Sequence, residues 1–416
     1  MSIPKLLFVR EGPPFAVRMS KVLHEAVTSG FECHVLADLR MAAAHNIARE
    51  MNLDFAGRVV AHQWPINRHW PPALLTALAA GELPGGPVES KIRQLLASGR
   101  FDLVVVKDSL HLRRVLRSLR TLGMSHVPVM CDMYENLPEL LFDTQIRFAP
   151  FWRRQGARLF SLVSRARRVE RECLPQCDRV FVVVDEMKQH LIETYFLRPK
   201  NISVVANVEM LHFFDSISAA SVAEQWPEIP TIIYFGTFGA LRGLDVLIDA
   251  AQILASDDKL AFRIFLVGAS REEKKTFDST IRARNLANFI SVRERVTHSQ
   301  GIALMKKSSI GVIPHADTGL IRTTIPNKLF QYMAAAIPVV ASDVGPLGRI
   351  VRECECGAAF VPGSGTDLAR RLRALLKDLN QTAALGRAGR SWVERRYCWE
   401  KAAQPYRDYF EKMKTQ

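Results

Sequence analysis

Apolar and polar positions alternate in the same order at two places in this chain. In KLLFVREGPPFAVRMSKVLHEAVTSGFECHVLADL, Leu6 to Val9 form an unbroken apolar run, Gly12 interrupts it, and Val17 to Ser29 space their apolar residues three and four apart. Gly30 ends that period, and Glu32 to Ala37 begin a second apolar run. Short continuous runs predict strands buried on both faces, and the longer spacing predicts an amphipathic helix. The order returns in TIIYFGTFGALRGLDVLIDAAQILASDDKLAFRIFLVG: a strand over Ile232 to Phe235, Gly236 and Gly239 in the turn, a helix over Leu244 to Leu254, and a strand over Arg263 to Val267. Two such openings predict two parallel-sheet domains of the doubly wound α/β class.

Between the openings, DLVVVK (Asp102 to Lys107), VPVMCD (Val127 to Asp132), RVFVVV (Arg179 to Val184) and ISVVAN (Ile202 to Asn207) predict four further strands. FISVR, IGVIPH, PVVAS and AAFVPG predict the same beyond the second opening. The polar stretch at 212–229 reads as the boundary, which gives an N-terminal domain over 1–212 and a second over 213–390. In the tail, 391–416, Trp399, Ala402, Tyr406, Phe410 and Met413 keep helical spacing around Pro405, which predicts a bent terminal helix. A linker this short predicts that the domains face a cleft.

Composition narrows the class. A chain of 416 residues exceeds one ordinary core, and 48% hydrophobic with 24% charged residues is a globular balance throughout. The formal charge of +14 calls for an anionic partner: nucleotide, nucleic acid or anionic membrane. Cys33, Cys131, Cys173, Cys177, Cys354, Cys356 and Cys398 are odd in number and lack zinc-ribbon spacing, so reduced thiols in the cytoplasm are expected and no metal is. The opening apolar run is too short for a signal peptide, and no stretch approaches the roughly 20 apolar residues of a membrane span. Any membrane contact is expected to be peripheral, at the inner face of the plasma membrane.

The stretch TTIPNKLFQYMAAAIPVVASD (Thr323 to Asp343), followed by GAAFVPGSGTDLARRLRALLKD, resembles the donor-site segment of glycosyltransferase family 4, enzymes of the GT-B fold. YFGTFGALRGLDVLIDAA, FLVG and VTHSQGIALMKKSSIGVIPH stand in the matching order. The resemblance is strong over 230–410 and weaker over the first half, where VREGPPFAVRMSKVLHEAVTSGFECHVL and CDMYENLPEL carry it. It implies two Rossmann-like domains, with the terminal helix crossing back to the first. It also implies a retaining, metal-independent transfer of a sugar from a nucleotide-sugar to a carbohydrate or lipid-linked acceptor.

A departing diphosphate needs counter-charge, and without a metal the protein must supply it. Thr323 or Thr324, with Pro326, reads as the start of a helix whose N–H groups face the phosphates. Lys328 would stand beside them, and Arg242 would add a second cation where Gly236 lets backbone approach the ligand. The resemblance adds Thr237, Gly239 and Asn327 to this donor set, with Arg295 and Val296 as candidates for the nucleobase. Relatives commonly carry two glutamates eight positions apart, where this chain has Thr323 and Gln331. Glutamine accepts from a ribose hydroxyl without the charge assistance of a carboxylate. That departure keeps a second class open, a non-catalytic binder or scaffold of nucleotide-sugars.

On the acceptor side, Asp132, Tyr134 and Glu135 begin at a strand's carboxyl end, and Tyr134 falls where relatives often place a histidine. Tyrosine, with an ordinary pKa near 10, is a poor base, and a front-face transfer that hands the acceptor's proton to the leaving phosphate needs none. Gly12 and Arg18 line the first turn, and the aromatic loop His62 to Pro72 reads as an acceptor lid or a packed surface loop. In FWRRQGARLFSLVSRARRVERE (151–172), Leu159, Leu162, Val163, Ala166 and Val169 share one helical face and arginines crowd the other. The segment reads as a helix lying on an anionic membrane or as a connecting helix whose stripe is core. No nucleic-acid recognition motif accompanies the basic charge.

Overall fold

The computed structural model describes residues 3–11, 13, 16–41, 47–65, 86–147, 157–221 and 226–415. The chain divides into two compact units, Met1–Ala206 with Ala403–Gln416, and Asn207–Ala402. Gly12, the part of the aromatic loop beyond residue 65, and residues 151–156 lie outside the described residues.

The first unit is built on a seven-stranded parallel sheet: β1 (Lys5–Val9), β2 (Glu32–Ala37), β3 (Val59–Gln63), β4 (Leu103–Lys107), β5 (Val129–Asp132), β6 (Arg179–Val182) and β7 (Ile202–Val204). Their order is β3-β2-β1-β4-β5-β6-β7, with Phe8 of β1 opposite Val35 and Val105. Leu6, Leu7, Val9, Val104 and Val106 are fully buried, as continuous apolar runs require when helices cover both faces. Edge strand β3 carries no such run and is half exposed, so periodicity does not announce it.

The last helix, Gln404–Lys414, belongs to this unit. Phe410 packs against Phe31 at 5.8 Å between ring centroids, and Tyr406 stacks on Phe181 at 4.1 Å. Pro405 falls in that helix's first turn, where a missing N–H costs nothing. The bend at Pro405 is therefore a boundary between Trp399–Ala402 and Gln404–Lys414.

The arginine-rich helix is Ala157–Cys173. Leu162, Val163, Ala166 and Val169 are buried, and the helix packs on Leu137–Phe142 and Leu112–Thr121. Its apolar stripe is core, so the membrane reading loses the face that would have entered lipid. Arg167 instead pairs with Glu139 at 3.0 Å. No helix among the described residues is long and apolar enough to cross a membrane.

The second unit holds six parallel strands: β8 (Thr231–Phe235), β9 (Arg263–Ala269), β10 (Ile290–Glu294), β11 (Ile310–Ile313), β12 (Val339–Ser342) and β13 (Gly357–Phe360). Their order is β10-β9-β8-β11-β12-β13. Leu247, Ala251 and Leu254 of helix Leu244–Ala255 join Leu368 and Leu372 of helix Gly365–Lys377 in one core cluster. Helix Asn327–Ala334 lays Tyr332 against bare backbone at Gly311, where a Cβ would stand 2.3 Å from the ring. The Tyr332 hydroxyl accepts the Phe235 N–H at 2.9 Å.

Residues 207–212 and 391–402 cluster with the second unit, although the apolar pattern placed the divisions at 212 and 390. Two contacts explain it. The Glu209 carbonyl accepts the Trp399 N–H at 2.8 Å, and helix Leu379–Arg395 packs on helix Asn327–Ala334.

Strand order reverses between β1 and β4 in one sheet and between β8 and β11 in the other. Open parallel sheets bind ligands beyond the carboxyl ends of their strands at such reversals.

Candidate active site

At the reversal of the second sheet, the turn after β8 contains Gly236, Gly239 and Gly243, all with positive φ. Lys328 enters from the first turn of helix Asn327–Ala334 and is only 8% exposed. Its Nζ lies 3.9 Å from the centroid of the Tyr234 ring. A Cβ on Gly236 would stand 2.9 Å from that Nζ, so the ammonium occupies space that only a glycine leaves.

Arg242 closes the short turn Ala240–Arg242 and donates Nη1–H to Nε2 of His315, 3.0 Å away. His315 follows β11 and is fully buried. To accept from arginine it must carry its proton on Nδ1. Burial first, then the charges of Lys328 and Arg242, hold its pKa well below the ordinary histidine value. Burial and the nearby Arg242 likewise push the Lys328 ammonium well below the lysine range.

Among the described residues no carboxylate pairs with Lys328 or Arg242. The helix that delivers Lys328 has no side-chain cap, so its first-turn N–H groups add positive potential at the same end. Two cations and a helix mouth without counter-charge are costly in an empty site and favourable around an anion.

The other donor-side residues divide. Gly236 and Gly239 belong to the turn with Arg242. Thr237 is exposed, and its carbonyl accepts the Tyr234 hydroxyl at 2.7 Å. Asn327 is half-buried beside Lys328. Arg295, exposed, and Val296, half-buried, follow β10, with the Arg295 N–H bonded to the Ala269 carbonyl at 3.2 Å.

The threonine cap expected ahead of Lys328 does not form. Gly319–Thr323 is a short helix of its own, capped by Thr318, and Thr323 and Thr324 bond back to its carbonyls at Gly319 and Leu320, each at 2.9 Å. Gln331 is buried and gives its amide to Glu209 Oε1 at 2.7 Å. Glu209 Oε2 lies 3.4 Å from His298 Nε2. No local signal joins Glu209 to Gln331, which are 122 positions apart. His315 had one signal, its place directly after an apolar run.

In the first unit, Arg18 and Asp132 meet in a closed network. Arg18 Nη2 donates to Asp132 Oδ1 at 3.2 Å and to the Tyr406 hydroxyl at 2.8 Å, and Nη1 donates to the Val205 carbonyl at 2.9 Å. Tyr406 gives its own proton to Asp132 Oδ1 at 2.7 Å. Burial opposes the Arg18 charge, but Asp132 more than restores it and holds the guanidinium above its ordinary range. Arg18 and Asp132, read from sequence as acceptor-side groups, thus clasp the first helix, β5 and the last helix. Nothing in the sequence linked Tyr406 to them.

Tyr134 lies 5.1 Å from the Arg18 Cζ and 5.0 Å from the Lys107 Nζ, measured to its ring centroid. Burial, then Asp132, pushes its hydroxyl well above 10, so it remains a proton-bearing donor. Glu135 is exposed and lines a cavity of about 230 Å³ together with Glu11, Lys107, Asp108 and His111.

A family model described as "Glycosyl transferase 4-like domain" matches residues 16–208, and one described as "Glycosyl transferases group 1" matches 229–378. The chain belongs to the glycosyltransferase 4-like family. The D-inositol 3-phosphate glycosyltransferase of Nocardia farcinica is 26% identical over 241 residues, 54% of this chain and 52% of that protein. This glycosyltransferase-family chain spans about half the length of the curated relatives it matches. Among solved structures, sucrose-phosphate synthase of Thermosynechococcus elongatus is similar at TM-score 0.74 and 15% identity, covering 100% of both chains. The Anabaena protein HepE in complex with UDP-glucose gives 0.67 at 14% identity, covering 98% of this chain and 99% of that one. These likenesses concern the fold, which is GT-B with two Rossmann-like units.

Proposed function

We propose that this protein is a retaining glycosyltransferase that moves a sugar from a nucleotide-sugar to a carbohydrate or lipid-linked acceptor. The observation that carries the reading is the uncompensated pair of Lys328 and Arg242 at the glycine turn after β8. A nucleoside diphosphate has the charge that this site lacks. A relative of the same fold was solved with UDP-glucose, so a UDP-sugar is the first donor to try.

In the transfer, the bond from the anomeric carbon to the diphosphate oxygen breaks, and its electron pair stays on that oxygen. The acceptor hydroxyl oxygen bonds to the anomeric carbon on the same face, and its proton passes to the departing phosphate. Lys328, Arg242 and the helix N–H groups stabilise the charge that grows on the leaving oxygen. An arriving diphosphate also restores the Lys328 proton affinity that burial takes away. Because the protein supplies this counter-charge itself, a chelator is expected to leave turnover unchanged.

A thermal-shift panel of UDP, GDP and ADP tests the first step, because a ligand bound only by the folded state raises its apparent stability. One nucleotide is expected to raise the melting temperature, and its sugar conjugates to undergo slow hydrolysis without acceptor. Binding of none of the three would remove the basis for the reading.

A further inference from the structure

We propose that the first unit holds an anion site of its own, in which the Arg10 guanidinium at the carboxyl end of β1 binds a phosphate or carboxylate carried by the acceptor. Calling that ligand the acceptor rests on the glycosyltransferase reading; the anion site does not.

Arg10 is 5% exposed, and its Nε and Nη1 are buried without an acceptor among the described residues. Unpaired donors on a buried guanidinium are expensive, and proteins keep them where something else completes the pairing. Arg18, eight positions on, also has a buried Nε with no hydrogen bond among the described residues, but both of its terminal nitrogens are paired, with a carboxylate, a phenol and a backbone carbonyl, whereas the Arg10 Nη1 has none. The acid whose charge acts on Arg10, Asp108, is committed elsewhere. Asp108 Oδ2 lies 2.8 Å from Lys107 Nζ, and its Oδ1 accepts the Tyr134 N–H at 2.9 Å. Burial draws the Arg10 pKa below its usual value, and the attraction of the Asp108 carboxylate does not make up for it.

The place is also where a ligand belongs. Arg10 follows β1 and Asp108 follows β4, the two strands between which the sheet order reverses. Asp108 has φ of +55 and ψ of 173, a backbone region almost reserved for glycine. Its N–H, bonded to the Asp132 carbonyl at 2.9 Å, helps to hold it there. The cavity of about 230 Å³ opens at Asp108 and at Glu11, the residue after Arg10. It is far larger than the roughly 30 Å³ share of one water. Glu135 and Glu11 on its wall can accept hydroxyl groups, while Arg10, which is not itself on that wall, lies within charge range of Asp108 at its edge and suits an oxyanion. A ligand carrying both hydroxyls and one anionic group matches that distribution.

The same geometry has a counterpart in the second unit, where Lys328 and Arg242 lack counter-charge at the reversal of the other sheet. Each sheet therefore presents unsatisfied positive charge at its switch point.

The test uses the full chain with its donor site filled by excess UDP, titrated calorimetrically with inorganic phosphate and, separately, with glucuronate. Wild type is expected to bind at least one of them saturably, and the one bound more tightly names the source of the oxyanion. Arg10→Met should weaken that binding by about tenfold or more, the equivalent of one charged hydrogen bond, and Arg10→Lys should recover part of the loss. Arg10→Met should also melt no lower than wild type, because it removes an unpaired buried charge. Equal binding by wild type and Arg10→Met, no saturable binding of either probe, or a lower melting temperature for Arg10→Met that Arg10→Lys restores would each overturn the site. If none of UDP, GDP and ADP binds while Arg10-dependent binding persists, the transferase reading falls and the anion site stands.

Discussion

Lys328 packs its ammonium between the Tyr234 ring and the bare backbone of Gly236, and this burial makes it a sensitive reporter of the proposed donor site. Lys328→Met should cut turnover by roughly 10²–10³, the usual loss for a donor aimed at transition-state charge, with a smaller change in nucleotide affinity. Steady-state rates beside calorimetric UDP binding would check this. Gly236→Ala should lose both stability and donor affinity. Its φ of +135 disfavours any side chain, at about 1–3 kcal/mol, and the new methyl group would displace the Lys328 Nζ. A third residue reports on pH. Glu170 is fully buried, and burial raises its pKa to about 7 against the opposing hydrogen bonds of Ser109 and Tyr195. The folded state thus holds this proton more tightly than the unfolded chain, whose glutamates titrate at about 4.3. Its favourable contribution is present below that value and is lost as pH rises toward 7. Glu170→Gln should therefore gain stability relative to wild type between about pH 4.5 and 7 and keep the gain above, as urea melts across that range would record.

Among the elements, the last helix has the most to answer for. Gln404–Lys414 contributes Tyr406 to the Arg18–Asp132 network and covers Phe31 and Phe181 with aromatic rings. Tyr406→Phe keeps the ring but leaves Asp132 one donor short, at an expected cost of about 1–3 kcal/mol. A chain ending at Ala403 removes both the network and the cover, and limited proteolysis should then cut residues of the first unit while the second unit stays protected. The helix at 157–173 makes the opposite case. Its stripe of Leu162, Val163, Ala166 and Val169 was visible in the sequence, but the same stripe suits a lipid surface and a protein core equally well. Only the helices packed upon it decide between them. Edge strand β3 was missed for a related reason, since a half-exposed strand needs no continuous apolar run.

For the molecule as a whole, the seven cysteines are all buried and free, and burial pushes the Cys354 and Cys356 thiols up to about 12. Thiol reagents should therefore react only on unfolding, and the melting temperature should not change with reductant. The strand and helix order of both sheets could be read along the chain, because apolar periodicity is a local property set by which face each residue must bury. The placement of Gly236 and Arg242 in the turn after β8 and of Lys328 at a helix start could be read too, whereas their role is a proposal. Burial and counter-charge could not be read in the same way, because they depend on residues distant in sequence. Asp132 is neutralised by Arg18 and tied to Tyr406, 274 positions away, and Gln331 is turned to Glu209. The linear order thus specifies which residues can carry charge or accept a hydrogen bond. Folding decides which of those charges find a partner within the protein and which, like Lys328 and Arg10, are left without a paired carboxylate among the described residues, because desolvation and pairing arise only when distant segments close around a group.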